Sequence, residues 1–227
     1  MAIITIPLAD GVGPDGNASP ATQFADDFDN GLFMFDPERH DFVNHRITDL
    51  TEHLPAQSFE EFDAMARLSP DSAIIIGQIS GPSLNRSMHL SVSHVLTPFA
   101  IQDVIFVGDN VADVFDISPG ASVDIMEGYS FVMPNTQEAL LGEFDIGTAV
   151  TIFDLLPMEV GNIYLLYLHI LDHEQYLHND RPLLSAAHRL AVYKLYPTDP
   201  IRAQAVGAPH YDWWQDAMQM YGHMVRP

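Results

Sequence analysis

Cysteine is absent from this 227-residue chain, and lysine occurs once, at Lys194. The first absence excludes disulfides, thiolate nucleophiles and Cys-based zinc sites together. Positive charge is scarce as well: Lys and Arg total 9 against 31 Asp and Glu, a formal net charge of −22. A nucleic-acid binder neutralises phosphates with a basic surface, so this balance argues against direct nucleic-acid binding and against docking on an anionic membrane. Long apolar runs are missing too. The longest, Ile163 to Leu171, is interrupted by His169, and a membrane-spanning helix needs roughly 20 residues. The opening Met1-Ala2-Ile3-Ile4 has no basic segment followed by an apolar core, so no signal peptide is expected.

What is present is a folding chain. Hydrophobic residues make up 47% and aromatics 10%, which excludes a disordered acidic tail. The length suits one large domain or two small ones. The acid is mostly aspartate, 22 Asp to 9 Glu, and Arg outnumbers Lys eight to one. Short carboxylates hold water and cations strongly, whereas the apolar stem of lysine is costly to hydrate. Such surfaces stay soluble in molar salt, where charge is screened within about 3 Å. The composition therefore points to a halophilic organism or its virus.

Residues 1–71 read as short strands, a loop and one helix. Ala2–Pro7, Leu32–Phe35 and Phe42–Ile47 are strand candidates, and Asp10–Pro20 is an irregular Gly/Pro/Asn loop. Ser58 and Glu61 form a capping box before Phe62, Met65, Ala66 and Leu68, which predicts a helix with those four on its apolar side.

The period then changes to two. Strands are predicted at Ala73–Ile79, Met88–Leu96, Ile101–Val107, Val111–Ile117, Ser122–Met126, Tyr129–Met133, Ala149–Leu155, Ile163–Ile170 and Arg189–Tyr196, separated by turn signals such as Gly108-Asp109-Asn110 and Ser118-Pro119-Gly120. No long amphipathic helices alternate with them, which argues against a parallel βαβ sheet. The expected fold is mainly β: an antiparallel sandwich or jelly roll over residues 72–197, with short helical additions. Residues 198–227 turn helical again. Asp199-Pro200 opens one helix and Pro209 a second, over Tyr211–His223, with Trp214, Met218 and Tyr221 in a stripe. Trp213 and Met220 lie off that stripe. These five residues are candidates for a docking surface between subunits, because Trp, Tyr and Met are favoured at interface centres. The plain alternative is that they are core.

Catalytic signatures are missing: there is no nucleophile elbow, S-x-x-K, Walker loop or G-x-G-x-x-G. The densest histidine group is His169, His173 and His178, among Asp172, Glu174 and Asp180. It is a weak metal candidate, since neither H-E-x-x-H nor the His-x-His of a cupin-like site occurs. A halophilic β-sandwich enzyme or ligand-binding protein using this cluster is the alternative function. His89 and His94 have opposite strand parity and cannot share a face. Asp26–Gly31 fails as an EF-hand, because Phe28 and Pro37 fall where oxygen ligands are required.

The acidic cysteine-free composition, the length, the Ala2-Ile3-Ile4-Thr5-Ile6-Pro7 opening and the central run of strands resemble the larger major capsid protein of tailless icosahedral haloarchaeal viruses with an internal membrane. These belong to the vertical single jelly-roll lineage. The resemblance implies a structural coat protein with no catalytic residue and no cofactor. It implies upright jelly rolls, paired as homodimers or with a second, smaller major capsid protein into pseudo-hexagonal capsomers. It also implies extra material as a tower, location in the virion capsid after assembly in the host cytoplasm, and room for contacts with neighbouring capsomers and underlying viral membrane proteins.

Overall fold

The computed structural model describes residues 32–33, 42–44, 56, 58–85, 95–132, 140–143, 145, 147–151, 157–171, 182–186, 195–197 and 211–225. In chain order the elements are β1 (Leu32–Phe33), β2 (Phe42–Asn44), α1 (Phe59–Leu68), β3 (Ser72–Ile79), β4 (Ser83–Asn85), β5 (Val95–Val107) and α2 (Asp109–Ala112). There follow β6 (Ser122–Glu127), β7 (Tyr129–Phe131), β8 (Ala149–Thr151), β9 (Ile163–Leu171), β10 (Leu183–Ser185), β11 (Leu195–Pro197) and α3 (Tyr211–Tyr221), which runs into a 3-10 turn at Gly222–Met224. The protein is mainly β with a few short helices. No helix among the described residues is long and apolar enough to cross a membrane.

The principal sheet closes on itself. Its order is β1-β4-β5-β3-β9-β10-β6, and β6 pairs back onto β5, so β5, β3, β9, β10 and β6 form a ring. Most pairings are antiparallel, as expected. Two are not: β10 joins β6 in parallel, closing the ring, and β2 joins β8 in parallel in a second sheet with β7. β1 pairs with β4, so the N-terminal segment adds a strand to the main sheet.

The ring explains why β3 and β9 are apolar almost throughout. Successive side chains of a strand point to opposite faces. Ala73 and Ile75 of β3, with Tyr164, Leu166 and Leu168 of β9, enter the ring interior beside Phe99, Ile101, Val123, Ile125 and Leu184. Ile74, Ile76, Leu165 and Tyr167 point the other way, into a layer built by Phe59, Phe62 and Ala66 of α1 and Trp214, Ala217 and Tyr221 of α3. Both faces of these strands are buried, so neither shows alternation.

β5 serves three neighbours. Residues 99–107 pair with β3, while 95–100 pair with β6 on the opposite edge. Its register against β3 slips twice, skipping Ile105 and Gln102. These bulges bend the strand around the ring. They also let Val104 and Val107 face the interior while Ile105 and Phe106 pack under the helices. Pro98 sits where the partner on one edge changes from β3 to β4, so its missing N–H breaks no ladder bond there. Gly77 lies at a slip as well. A Cβ there would meet the Ala100 carbonyl oxygen at 2.1 Å and the Phe99 ring at 2.6 Å, so only glycine fits.

Several expectations change. Met88–Leu96 and Ile101–Val107 were expected as separate strands; from Val95 onward they form the single strand β5. Val111–Ile117 is not a strand. Asp109–Ala112 is a helical turn that continues with Phe115 N–H bonding Val111 C=O. Val111, Val114 and Phe115 have i, i+3, i+4 spacing, and Val111 is fully buried against the ring core. The Ser58 half of the capping box is present, with the Ser58 hydroxyl accepting from the Glu61 N–H at 3.2 Å. The apolar face of α1 is rotated from the expected one: Phe59, Phe62, Asp63 and Ala66 are buried, while Met65 and Leu68 are exposed. β10 had no counterpart among the expected strands. Ala2–Pro7, the Asp26–Gly31 loop, His89, His94 and Asp199-Pro200 lie outside the described residues.

Candidate functional site

Two carboxylates are buried among the described residues, and each gathers hydroxyls around it. The first is Glu127, at the end of β6. Val123, Ile125 and Glu127 share one strand parity, so the phase that carries apolar side chains into the ring ends on a charge. The register sets Val95 opposite Glu127 and Thr97 opposite Ile125, which makes Thr97 a diagonal neighbour of Glu127. The Thr97 hydroxyl donates to Glu127 Oε1 in a very short hydrogen bond. Ser83 Oγ lies 2.8 Å from Thr97 Oγ1. The Met158 backbone N–H donates to Glu127 Oε2 at 2.8 Å, and the Met158 side chain itself packs into the ring core.

Tyr129 and Tyr164 complete this cluster. Tyr129 is hydrogen-bonded to Ser83 and Thr97. The Tyr164 hydroxyl accepts from the Glu159 N–H at 2.8 Å. Burial pushes Glu127 up to about 7, and the hydrogen bonds from Thr97 and Met158, which favour the ionised form, only partly offset it. Burial likewise raises Tyr129 well above the usual phenol range, and the nearby Glu127 charge adds to the shift. Tyr164 is raised mainly by burial.

The second carboxylate is Asp63 on α1. The hydroxyls of Tyr167 and Tyr221 donate to its Oδ1 at 2.7 and 2.5 Å. Arg67, one helical turn on, donates from Nε to Oδ2 at 2.8 Å and from its terminal nitrogen to the Tyr221 hydroxyl at 2.6 Å. Partial burial alone would lower the pKa of Arg67, but its bonds to Tyr221 and Asp63 raise it above the usual value. Burial and the bond to Asp63 raise Tyr221. This cluster ties α1, α3 and β9 together with charge-assisted bonds.

The C-terminal candidates fall in three places. Trp214 and Tyr221 are core residues, and Trp213 and Met218 are half-buried against the same core. Trp213, expected away from the stripe, packs its ring 5.6 Å from that of Phe62 and 6.4 Å from that of Phe59. Met220 is 37% exposed. Of the histidine group, His169 lies in β9 opposite Ser72 and Ser185, while His173 and His178 lie outside the described residues. Among the described residues no group of three or more His, Cys, Asp or Glu is placed to hold a metal ion.

Both carboxylate clusters escaped the motif reading, since neither forms a local sequence pattern. The available signal was phase: Glu127 falls on the inward parity of β6, and Asp63 on the turn between Phe59 and Ala66. No family model, curated protein or solved structure matches this chain.

Proposed function

We propose that this chain is a structural coat protein of a virus of halophilic hosts, a larger major capsid protein of the vertical single jelly-roll kind. The observation that carries this reading is the use made of the two buried carboxylates. Apart from the Arg67–Asp63 bond within α1, the described contacts of Asp63 and Glu127 join one structural element to another: α1 to α3 and β9, and β6 to β5 and the segment before β9. Polar groups so placed hold a shell subunit together. The excess of 31 acidic over 9 basic residues, with a single lysine, supports a particle that lives in molar salt. The mainly β, closed sheet is consistent with a jelly-roll ancestry.

In this reading the subunit assembles with itself and with a smaller major capsid protein, without direct nucleic-acid contact. Met220 and the exposed edge of Trp213 belong to the subunit contacts. The test is quantitative mass spectrometry of purified particles from a producing culture. A copy number comparable with that of the most abundant particle protein is expected. Absence from the particles, or presence at trace level, would overturn the reading.

A further inference from the structure

β10 and β11 lie along the same edge of β9, opposite β3, and both run antiparallel to it. Ten chain steps separate Ser185 from Leu195, while their partners His169 and Leu166 are three steps apart, so seven residues are surplus to an unbroken strand. The surplus falls within residues 187–194, because Ala186 still belongs to the barrel. Its side chain packs into the ring core and its N–H bonds the Met126 carbonyl at 2.9 Å. The span is thus anchored at both ends to one strand edge, at points about 10 Å apart for a rise of about 3.3 Å per residue.

The charge of this span is opposite to that of the barrel it interrupts. Ala187-His188-Arg189-Leu190-Ala191-Val192-Tyr193-Lys194 contains no Asp or Glu and includes the only lysine of the chain. With its flanks, residues 181–198 carry three of the nine Lys and Arg and still no acid. Among the described residues Arg67 is the only Lys or Arg, and it is bonded to Asp63 and Tyr221. Glu60, Glu61, Asp109, Asp113, Asp116 and Asp124 are exposed. Where two such surfaces meet, carboxylate faces carboxylate, and like charges oppose the contact.

We propose that residues 187–194 are a docking segment for the acidic surface of a second copy of this chain, supplying the positive charge which that surface lacks. The inference rests on the coat-protein reading for its choice of partner, a neighbouring copy, and adds the segment that makes the contact. In molar salt, screening acts within about 3 Å, so only charges close to contact attract. A guanidinium suits that limit: Arg189 offers a planar fork that bonds a carboxylate through two N–H groups at once. Leu190, Val192 and Tyr193 add apolar and aromatic area of the kind found at interface centres. Anchoring at both ends reduces the freedom lost on binding.

The single lysine makes the test selective. Carbodiimide coupling joins a lysine amine to a carboxylate in direct contact, so every product formed at a lysine must start from Lys194. The purified full chain, mixed as light and heavy isotope-labelled copies, is coupled in molar sodium chloride and mapped by mass spectrometry. Links from Lys194 to Asp or Glu that join light to heavy copies are expected. Arg189→Glu combined with Lys194→Glu should weaken self-association, measured by sedimentation, at least about tenfold. Lys194 links confined to single copies, the absence of such links, or undiminished association of the double variant overturns the proposal. Should that variant not fold, the isotope-mixed links of the wild type decide. The coat reading is tested apart from this, by particle composition: abundance in particles together with unmixed Lys194 links would refute the docking segment alone.

Discussion

Tyr221 and Asp63 lie 158 residues apart in the sequence, yet the Tyr221 hydroxyl donates to Asp63 Oδ1 at 2.5 Å. That bond joins α3 to α1 across the outer face of β9. Arg67 approaches the same tyrosine twice, bonding its hydroxyl at 2.6 Å and standing 5.8 Å from its ring centre.

Removing the hydroxyl should therefore unpin α3. Tyr221→Phe keeps the ring but leaves Asp63 and Arg67 each one partner short, for a loss of about 1–3 kcal/mol. Asp63→Ala strands three donors at once and should cost more. Denaturant unfolding of both variants, with Tyr167→Phe as the third corner of a cycle, measures the coupling. Additive losses for the two tyrosines would show that they do not act as one unit.

Glu127 makes global stability depend on pH in the sense opposite to acid denaturation. Its folded-state value of about 7 lies above the ordinary 4.5. Its contribution is therefore complete below pH 4.5 and is lost as pH rises toward and through 7. The full loss is on the order of 3 kcal/mol. Unfolding curves in high salt at several pH values should show wild type losing this stability relative to Glu127→Gln across that window. A difference between the two proteins that does not vary with pH would refute the assignment.

A net charge of −22 makes the subunit dependent on salt. The screening length grows from about 3 Å at 1 M to about 30 Å at 0.01 M, so carboxylates that ignore each other in brine repel in dilute buffer. Dialysis to low salt should diminish the near-UV circular dichroism and dissociate any assembly. Unchanged spectra and sedimentation would contradict this expectation.

Trp213 and Met220 should separate folding from assembly. Trp213 rests on Phe59 and Phe62, so Trp213→Ala should destabilise the monomer by roughly 2 kcal/mol as well as weaken association. Met220 is more exposed, so Met220→Ala should leave the melting temperature within about 1–2 °C of wild type. Sedimentation against the proposed smaller coat partner tests the second half: undiminished association of the Met220 variant would remove Met220 from the proposed interface.

Gly77→Ala should be damaging despite its small size. The new methyl would overlap the Ala100 carbonyl oxygen, a backbone atom that cannot swing away. A loss of at least about 3 kcal/mol, or failure to fold, is anticipated by circular dichroism.

The sequence made some of this architecture readable and concealed the rest for physical reasons. The continuous apolar runs of β3 and β9, the alternation that opens β6 and the capping signal at Ser58 are local features, and the structure places an element at each. The continuity of β5 was hidden by Pro98 and by two bulges, which break alternation where the strand bends. Val111 to Ile117 misled because Val111, Phe115 and Ile117 fit a period of two while Val111, Val114 and Phe115 fit a helical turn. Ring closure was invisible, since Leu183-Leu184-Ser185 is too short to announce a strand and its parallel partner lies far back in the chain. Asp63 and Glu127 were seen only as members of an acidic crowd. What distinguishes them is the side of the element they fall on, and α1 had to be rotated by its tertiary contacts before Asp63 appeared on the buried one.

The described seam between β10 and β6 consists of two paired positions, Leu184 with Ile125 and Ser185 with Met126. β3, β5 and β6 follow one another closely and zip as neighbours, and β9 then adds to β3 over seven positions from Ser72 to Gln78. The seam must wait for all of them, because its two edges are brought within reach only after the others have curled. Chain closure over so long a separation is slow, and two rungs reward it little. The barrel is thus a late-latching hoop whose weakest stave is fixed by its topology. A pulling force or a passing thermal excursion should part it first between Ser185 and Met126.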